Sequence, residues 1–306
     1  SVGGLCARDQ MVGPWQLPLA DCAITLDDFD GHAGEAMALG ERTPLALIDA
    51  AASARMAVGE AITNLAAAPV ASLEEVKLSA NWMAAAGFDG EDAAVFDAVH
   101  AVGMELCPEL GISIPVGKDS LSMQAQWSSA AAVARGGGMD ADRQVHQGGL
   151  QPELVGIATF KTVSPVSLVV TAFARVADVR GQLQPVLARD VESDLWLIGL
   201  GAGQQRLGGS ILAQCHDAFG GACPDLDDAS LLKKFFGLIQ RARADGLLLA
   251  YHDRSDGGAF AALCELAFAS RTGLEICLER WGDDAVRALF NEELGAVVQI
   301  ACEDRA

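Results

Sequence analysis

The sequence is poor in basic residues and lacks the cysteine and histidine patterns that mark several classes of protein. Its 306 residues include 21 Lys and Arg against 41 Asp and Glu, for a formal net charge of −20. No basic arm or stripe is present to neutralise a nucleic-acid backbone, so we expect no nucleic-acid partner. The eight cysteines form no C-x-x-C pair and no zinc-like cluster with histidine. This pattern favours reduced, mostly buried thiols over a disulfide framework.

Long apolar runs are missing as well. No stretch of about 18 uninterrupted apolar residues occurs, and the sequence does not open on a basic segment followed by an apolar run. We therefore expect a cytoplasmic protein with no membrane partner. The abrupt opening "SVGG" and the end shortly after the alternating run "GAVVQIA" indicate a piece of a longer polypeptide.

Several catalytic and nucleotide-binding motifs are incomplete or absent. The sequence contains neither H-E-x-x-H nor G-x-S-x-G, so covalent hydrolase chemistry is unsupported. The run 198–209 resembles a dinucleotide-binding turn, but Gln204 stands where the third glycine belongs. Gly111 and Gly117 enclose one residue too many for a Walker A loop, and Asp119 replaces its hydroxyl residue. Any nucleotide site must be built in another way.

The residues that are present predict mixed α+β layers, most simply in two domains with a boundary near residue 190. The alanine-rich run 44–68 predicts a buried helix with Thr43 as N-cap and Pro44 at its first position. Residues 128–151 are small, polar and glycine-rich, as in a mobile loop or insertion. The pattern also predicts strands near 76–83, 112–117, 164–176, 194–201, 247–253 and 295–301, and helices near 92–111, 208–219, 229–245 and 258–270.

Two stretches carry candidate ligand-binding side chains. Glu60 and Asn64 are four residues apart on the predicted first helix, so their oxygens emerge on one face and suit a magnesium ion. A buried pair that only hydrogen-bonds to nearby backbone is the simpler alternative. The stretch "YHDRSDGG", 251–258, joins a strand to a helix, where Asp253 could hold a metal and Ser255 a phosphate or ribose oxygen. The alternative is a plain turn with an aspartate as helix cap.

Five segments, taken in order, closely resemble the large bacterial-type phosphoribosylformylglycinamidine synthase, also called formylglycinamide ribonucleotide amidotransferase. They are "GEAMALGERTPLALIDAAASARMAVGEAITNLAAAPV", "KLSANWMAAAG", "ELGISIPVGKDSLSM", "LLAYHDRSDGG" and "LFNEELGAVVQI". The resemblance implies the second half of the synthetase region, with an α+β, aminoimidazole-ribonucleotide-synthetase-like fold. Residues 1–190 would form its A-type sheet and helix domain, and 191–306 a truncated α/β B-type domain.

The resemblance also implies roles for individual residues. Ala20 and Ser255 would contact the nucleotide, and Asp21, Glu60, Asn64 and Asp253 would bind magnesium. The ligands implied are ATP or ADP, Mg²⁺ and formylglycinamide ribonucleotide. "PVGKDS" would be a nucleotide or substrate loop. No residue is assigned as catalytic.

Some parts of the family are absent from this sequence. Its glutaminase domain and first synthetase half are missing, so ammonia would come from the remaining domains of the same polypeptide. Whether this half turns over ATP is therefore open. Two alternatives remain. One is a structural half whose bound nucleotide braces the active half, and the other is a different ATP-dependent enzyme of the superfamily, such as thiamine-monophosphate kinase.

Overall fold

The computed structural model describes residues 4–129 and 158–304. The first part of the chain contains β1 (Cys6–Arg8), β2 (Ala23–Leu26), β3 (Gly34–Glu41), α1 (Ala50–Leu65), β4 (Lys77–Met83), α2 (Glu91–His100), α3 (Cys107–Leu110), β5 (Ser113–Ser120), β6 (Gln124–Ser129), β7 (Ala158–Val163) and β8 (Ser167–Val176). The second contains β9 (Ser193–Gly199), α4 (Ile211–Cys215), α5 (Ala229–Ala244), β10 (Leu248–Asp253), α6 (Gly258–Ser270), α7 (Ala285–Phe290) and β11 (Gly295–Ala301). A π-helical turn, Ala101–Leu106, joins α2 to α3. The predicted mixed α+β class is confirmed.

Two main sheets organise these elements. The larger has the order β1-β2-β3-β8-β4-β5, and only its β4–β5 pair is parallel. The smaller has the order β10-β11-β9, and β6 pairs with β7 in a separate hairpin. The larger sheet ends at Val176 and the smaller begins at Ser193. The proposed domain boundary near 190 and the division into 1–190 and 191–306 stay predictions, and the expected insertion at 128–151 lies almost entirely outside the described residues.

Helix α1 covers one face of the large sheet because small residues let the two come close. Its buried positions include six small or apolar residues between Ala52 and Val58, and only Arg55 interrupts the run. Gly40 of β3 faces it so closely that a Cβ there would lie 2.1 Å from the carbonyl oxygen of Ala57. Only glycine fits at that crossing. The continuous core extends from α1 to Phe236 of α5 and Tyr251 of β10, so elements on both sides of residue 190 share it.

The predicted start of the first helix is wrong. Thr43 and Pro44 open a short 3₁₀ helix, Thr43–Leu47, whose N-cap is Arg42. The α-helix begins later, where the Asp49 carboxylate accepts the backbone N–H of Ala52 at 2.8 Å. Asp49 is the N-cap because its carboxylate accepts a backbone N–H of the first turn that would otherwise be unpaired. Helix α4 is also much shorter than the predicted 208–219.

Among the described residues, no helix combines the length and the apolar character needed to cross a bilayer.

Candidate functional site

Two buried carboxylates that are far apart in the sequence lie close together in the fold. Asp21 lies just before β2, and Asp253 is the last residue of β10. Asp21 Oδ1 accepts the backbone N–H of Asp253 at 3.0 Å. The other oxygens of the pair, Asp21 Oδ2 and Asp253 Oδ2, are buried and have no hydrogen-bond partner. Buried carboxylate oxygens without a partner are costly, so this arrangement favours a cation in contact with them.

His252 supports Asp21 rather than offering a free ligand nitrogen. Its Nδ1 lies 2.8 Å from Asp21 Oδ1, and its Nε2 lies 2.8 Å from Glu265 Oε2 on α6. Burial alone would lower the pKa of His252, but Asp21 and Glu265 together raise it well above its ordinary value. The raised pKa favours the doubly protonated ring, which can donate one N–H to each carboxylate. Although ligand atoms of Asp21, His252 and Asp253 lie within 4.8 Å of one another, the carboxylate oxygens are the atoms left for a cation.

Asp253 is in an environment that opposes its charge. Burial raises its pKa well above the ordinary value, and the negative charges of Asp21 and Glu60 raise it further. A divalent cation would reverse this effect, because opposite charge favours the ionised form. Glu60 on α1 acts on Asp253 through its charge, but it is not among the residues whose ligand atoms lie within 4.8 Å of one another.

The surroundings of Glu60 also disfavour its ionised form. Its Oε2 accepts the backbone N–H of Glu41 at 2.7 Å, and burial raises the pKa of its carboxyl from 4.5 to about 7, against the opposing effect of Arg42. The amide of Asn64 donates to the Leu39 carbonyl at 3.1 Å. Both residues thus make the backbone hydrogen bonds of the simpler alternative, and whether they also bind metal stays a prediction. The donor set of the cluster is nevertheless oxygen only, which is the chemistry magnesium prefers.

The turn after β10 is held from within the protein. Gly257 and Gly258 both have positive φ, 80° and 67°. The Gly257 amide donates to Glu292 Oε1 at 2.8 Å, and the Gly258 amide donates to the Ser255 carbonyl at 3.0 Å. The N-cap of α6 is Gly257, so the alternative of an aspartate cap is not realised. Asp256 instead pairs with Arg42 at 2.5 Å.

The two predicted nucleotide contacts are close to this cluster along the chain. Ala20 directly precedes Asp21, and its amide donates to the Gln10 carbonyl at 3.2 Å. Ser255 is half-buried, two residues after Asp253. The structure therefore brings together the chain neighbourhoods of Ala20, Asp21, Asp253 and Ser255. Their roles toward a nucleotide stay predictions.

A buried ion-pair network beside the cluster was not predicted from the sequence. Arg42, only 4% exposed, bridges Asp256 and the fully buried Glu292. Glu292 also accepts the Ile211 amide at 2.9 Å, so one carboxylate ties the end of β3 to two segments of the second part. Nearby, Glu293 pairs with Arg206 at 2.7 Å. The sequence signal that could have indicated this network is the acidic pair Glu292 and Glu293, which lies between apolar residues in "LFNEELGAVV".

The motif "PVGKDS" lies in a strand and not in a loop. Residues 115–120 belong to β5, at the edge of the large sheet. A Cβ at Gly117 would lie 2.1 Å from the Ala80 carbonyl oxygen, so the glycine permits close pairing with β4. Lys118 is exposed, and its Nζ lies 3.1 Å from Ser120 Oγ. The loop expectation fails because these residues continue the parallel ladder with β4.

Comparisons with known proteins agree with this architecture. Residues 1–136 match the family described as an FGAR-AT PurM_N-like domain. Residues 192–306 match the family described as AIR synthase related protein, C-terminal domain. The solved structure of Thermotoga maritima PurL complexed with FGAR has 14% sequence identity and a TM-score of 0.61, and the match covers 96% of this chain and 41% of that chain.

Two further structures are similar. T. maritima PurL complexed with ATP has 14% identity and a TM-score of 0.54 over 97% of this chain and 40% of that chain. AaThiL complexed with AMPPCP and TMP has 14% identity and a TM-score of 0.50 over 93% of this chain and 80% of that chain. The chain thus spans about 40% of the length of the T. maritima PurL chains. It has the AIR-synthase-like fold, with a PurM-like N-terminal part followed by an AIR synthase related C-terminal domain.

Proposed function

We propose that this chain is the magnesium-nucleotide-binding second half of the synthetase region of a formylglycinamide ribonucleotide amidotransferase. The complete enzyme would convert formylglycinamide ribonucleotide, glutamine and ATP to formylglycinamidine ribonucleotide, glutamate, ADP and phosphate, in the cytoplasm and as part of purine biosynthesis. The FGAR-AT description of the family matched by residues 1–136 supports this proposal. The PurL structures complexed with FGAR and with ATP support it further.

One observation carries the proposal: the two buried carboxylate oxygens, Asp21 Oδ2 and Asp253 Oδ2, have no hydrogen-bond partner. Together with Glu60 they offer oxygen ligands and an excess of negative charge in a buried place. Magnesium prefers such ligands, and it keeps further positions for phosphate oxygens. An acidic protein needs a bridging cation of this kind to hold a nucleotide phosphate.

The chain's own residues would prepare this site before any ligand arrives. His252 and the Asp253 amide hold the Asp21 carboxylate through its Oδ1, which leaves the buried Oδ2 without a hydrogen-bond partner. Glu292 holds the glycine turn that carries Ser255. Because these contacts already exist, little reorganisation is needed on binding. A bound magnesium would supply charge neutralisation for the transferred phosphoryl group.

The outer face of the large sheet supports the proposal that further domains of the same polypeptide cover this chain. On the side opposite α1, Leu39 and Val116 are each 60% exposed, and Met37, Val169 and Phe173 are only half-buried. Met37, Leu39 and Phe173 are neighbours on β3 and β8, whereas Thr171 and Ser79 separate Leu39 from Val116. Neighbouring exposed apolar side chains on a sheet mark an interaction surface. The other synthetase half would cover this face, and a glutaminase domain elsewhere in the polypeptide would supply ammonia.

Isothermal titration of ADP and ATP, with and without magnesium, tests the binding proposal. Nucleotide already bound must first be sought by denaturation and chromatography. We expect binding that requires magnesium and that weakens at least about tenfold in Asp253→Asn. Because burial and the negative charge of Asp21 oppose ionisation of Asp253, removal of this charge should not disturb folding without metal. The exposed control Asp245→Asn should bind like the parent chain. A nucleotide-free chain that binds neither ligand would contradict the proposal.

A second candidate function rests on the match to AaThiL, of which this chain covers a much larger share. The chain would then act as an ATP-dependent kinase of the same fold. Assay of the full-length protein with formylglycinamide ribonucleotide and with thiamine monophosphate separates the two functions. Turnover of thiamine monophosphate alone would favour the kinase. A nucleotide that co-purifies and never exchanges would instead indicate a structural half.

A further inference from the structure

We propose that a groove between α5 and the segment 70–74 binds a small phosphorylated molecule. The groove has a volume of about 530 Å³, within the range typical of small-molecule sites. It shares no lining residue with the Asp21 and Asp253 cluster. This inference therefore does not depend on the proposed magnesium-nucleotide site.

Three cationic side chains line the groove, although the chain as a whole carries a net charge of −20. They are Lys233, Arg241 and Arg243, and the only acidic residue in the lining is Glu74. None of the three cations forms an ion pair with a described carboxylate, although Lys233 and Glu74 attract each other at longer range. Since the overall field of the protein repels anions, a local excess of cations is what an anion site here requires.

Arg243 is the most telling of the three, because it is half-buried without a charged partner. Its Nε donates to Gln240 Oε1 at 3.1 Å and its Nη1 donates to the Gly181 carbonyl at 3.3 Å. Both acceptors are neutral. Burial lowers the pKa of Arg243, which expresses the cost of holding this charge away from water. An anion in the groove would compensate for that cost.

The spacing on α5 leaves room for the ligand between two of the cations. Lys233, Gly237 and Arg241 follow one another at intervals of four residues, so they lie on one helix face about 6 Å apart along the axis. A Cβ at Gly237 would meet only Arg241 Nη1, at 3.8 Å. Glycine is unfavourable inside a helix. Its presence at position 237 is consistent with a need for open space beside the helix, where the ligand would lie.

The shape of the groove indicates a phosphate group attached to an organic body. A guanidinium presents a planar fork of donors that matches phosphate geometry. The apolar part of the lining consists of Val70 and Leu73 from the segment 70–74 and Phe236 from α5, each less than a tenth exposed. An apolar wall with a few convergent polar groups is the usual design of small-molecule sites. The cations would hold the phosphoryl group, and the wall would pack against the remainder.

The test is calorimetric titration of inorganic phosphate, pyrophosphate and glucose 6-phosphate into the chain, at low salt and with EDTA. At least one probe should bind saturably, and the double variant Lys233→Gln/Arg241→Gln should weaken it at least about tenfold. Lys234→Gln is the matched control, because Lys234 is equally exposed but lies outside the groove. It should stay within about twofold of the parent chain. Absence of saturable binding to all probes, or an equal loss in the control, would overturn the proposal.

A steric variant gives an independent check. Gly237→Gln adds no charge and favours the helix, so it should raise the melting temperature while blocking the groove. Unchanged binding in this variant would place the anion elsewhere and refute the assignment. Asp253→Asn should leave phosphate binding intact, which keeps this result separate from that of the magnesium site. If glucose 6-phosphate binds more strongly than phosphate, the apolar lining contacts the organic part of the ligand. If phosphate binds more strongly, the ligand of this site is free phosphate.

Discussion

Glu60→Gln should make the metal-free chain more stable at alkaline pH. The carboxyl of Glu60 is buried, and its pKa rises from 4.5 to about 7. A folded-state pKa above the unfolded value means that the contribution of this group to stability is fully present below about pH 4.5. It is lost as the pH rises through about 7, because the buried group must then ionise.

The size of the effect follows from the same shift. The difference between 4.5 and about 7 corresponds to about 3 kcal/mol at pH values above both. Glutamine keeps an oxygen that accepts the Glu41 amide hydrogen but carries no charge. The variant should therefore gain up to about 3 kcal/mol of unfolding free energy at pH 8 and nothing at pH 4.5.

Urea unfolding at both pH values, in EDTA, measures this difference. Glu75→Gln is the matched control, since Glu75 is exposed and its replacement removes no buried charge. Magnesium and ADP together should then stabilise the parent chain but not the Glu60 variant, because the variant lacks the proposed ligand. A variant that is no more stable than the parent at pH 8 without metal would refute the electrostatic argument.

Three further predictions concern the core and the network beside the site. Cys22 is buried, and its pKa is raised to about 12. Iodoacetamide at pH 8 should therefore alkylate the exposed Cys215 and should not alkylate Cys22 until denaturant is added. Mass spectrometry measures the modification of each cysteine. Gly40→Ala should cost at least about 2 kcal/mol in urea unfolding, because its Cβ would overlap α1, whereas Gly103→Ala, in open space, should cost nothing. Arg42→Ala leaves the buried Glu292 without its cationic partner and should lower the free energy of unfolding by about 3–5 kcal/mol in the same measurement. A loss below about 1 kcal/mol would show that water reaches the network.

The regular elements of the fold were largely predictable because their signals are local. The strand at β11 and the helix α6 follow directly from alternation and from the glycine pair before the helix. The strands β1 to β3 were not predicted, since they are short or interrupted by glycine and acidic residues. The helix start was misplaced because Thr43 and Asp49 are both acceptable caps, and only tertiary packing decides between them.

The site was predictable only in part for a different reason. The stretch "YHDRSDGG" pointed to Asp253 and the resemblance to a family pointed to Asp21, and the structure places the two residues in contact. The link from His252 to Glu265 was missed because it joins a strand end to the second turn of the next helix, and no residue spacing marks such a contact. The Arg42 network joins residues more than 200 positions apart. Contacts of that kind depend on how sheets and helices assemble, which hydrophobic periodicity does not encode.

The wide separation of Asp21 and Asp253 also sets when the site can exist during synthesis. The two residues are 232 positions apart. At about 5–20 residues per second, a ribosome adds Asp253 about 10–50 s after Asp21. All strands of the large sheet, which ends at Val176, are added in that interval, but the Asp21 carboxylate still has no partner from the second sheet. If the cluster binds nucleotide as proposed, capture must wait for the second sheet to emerge and dock, so the nascent chain on the ribosome would not sequester nucleotide.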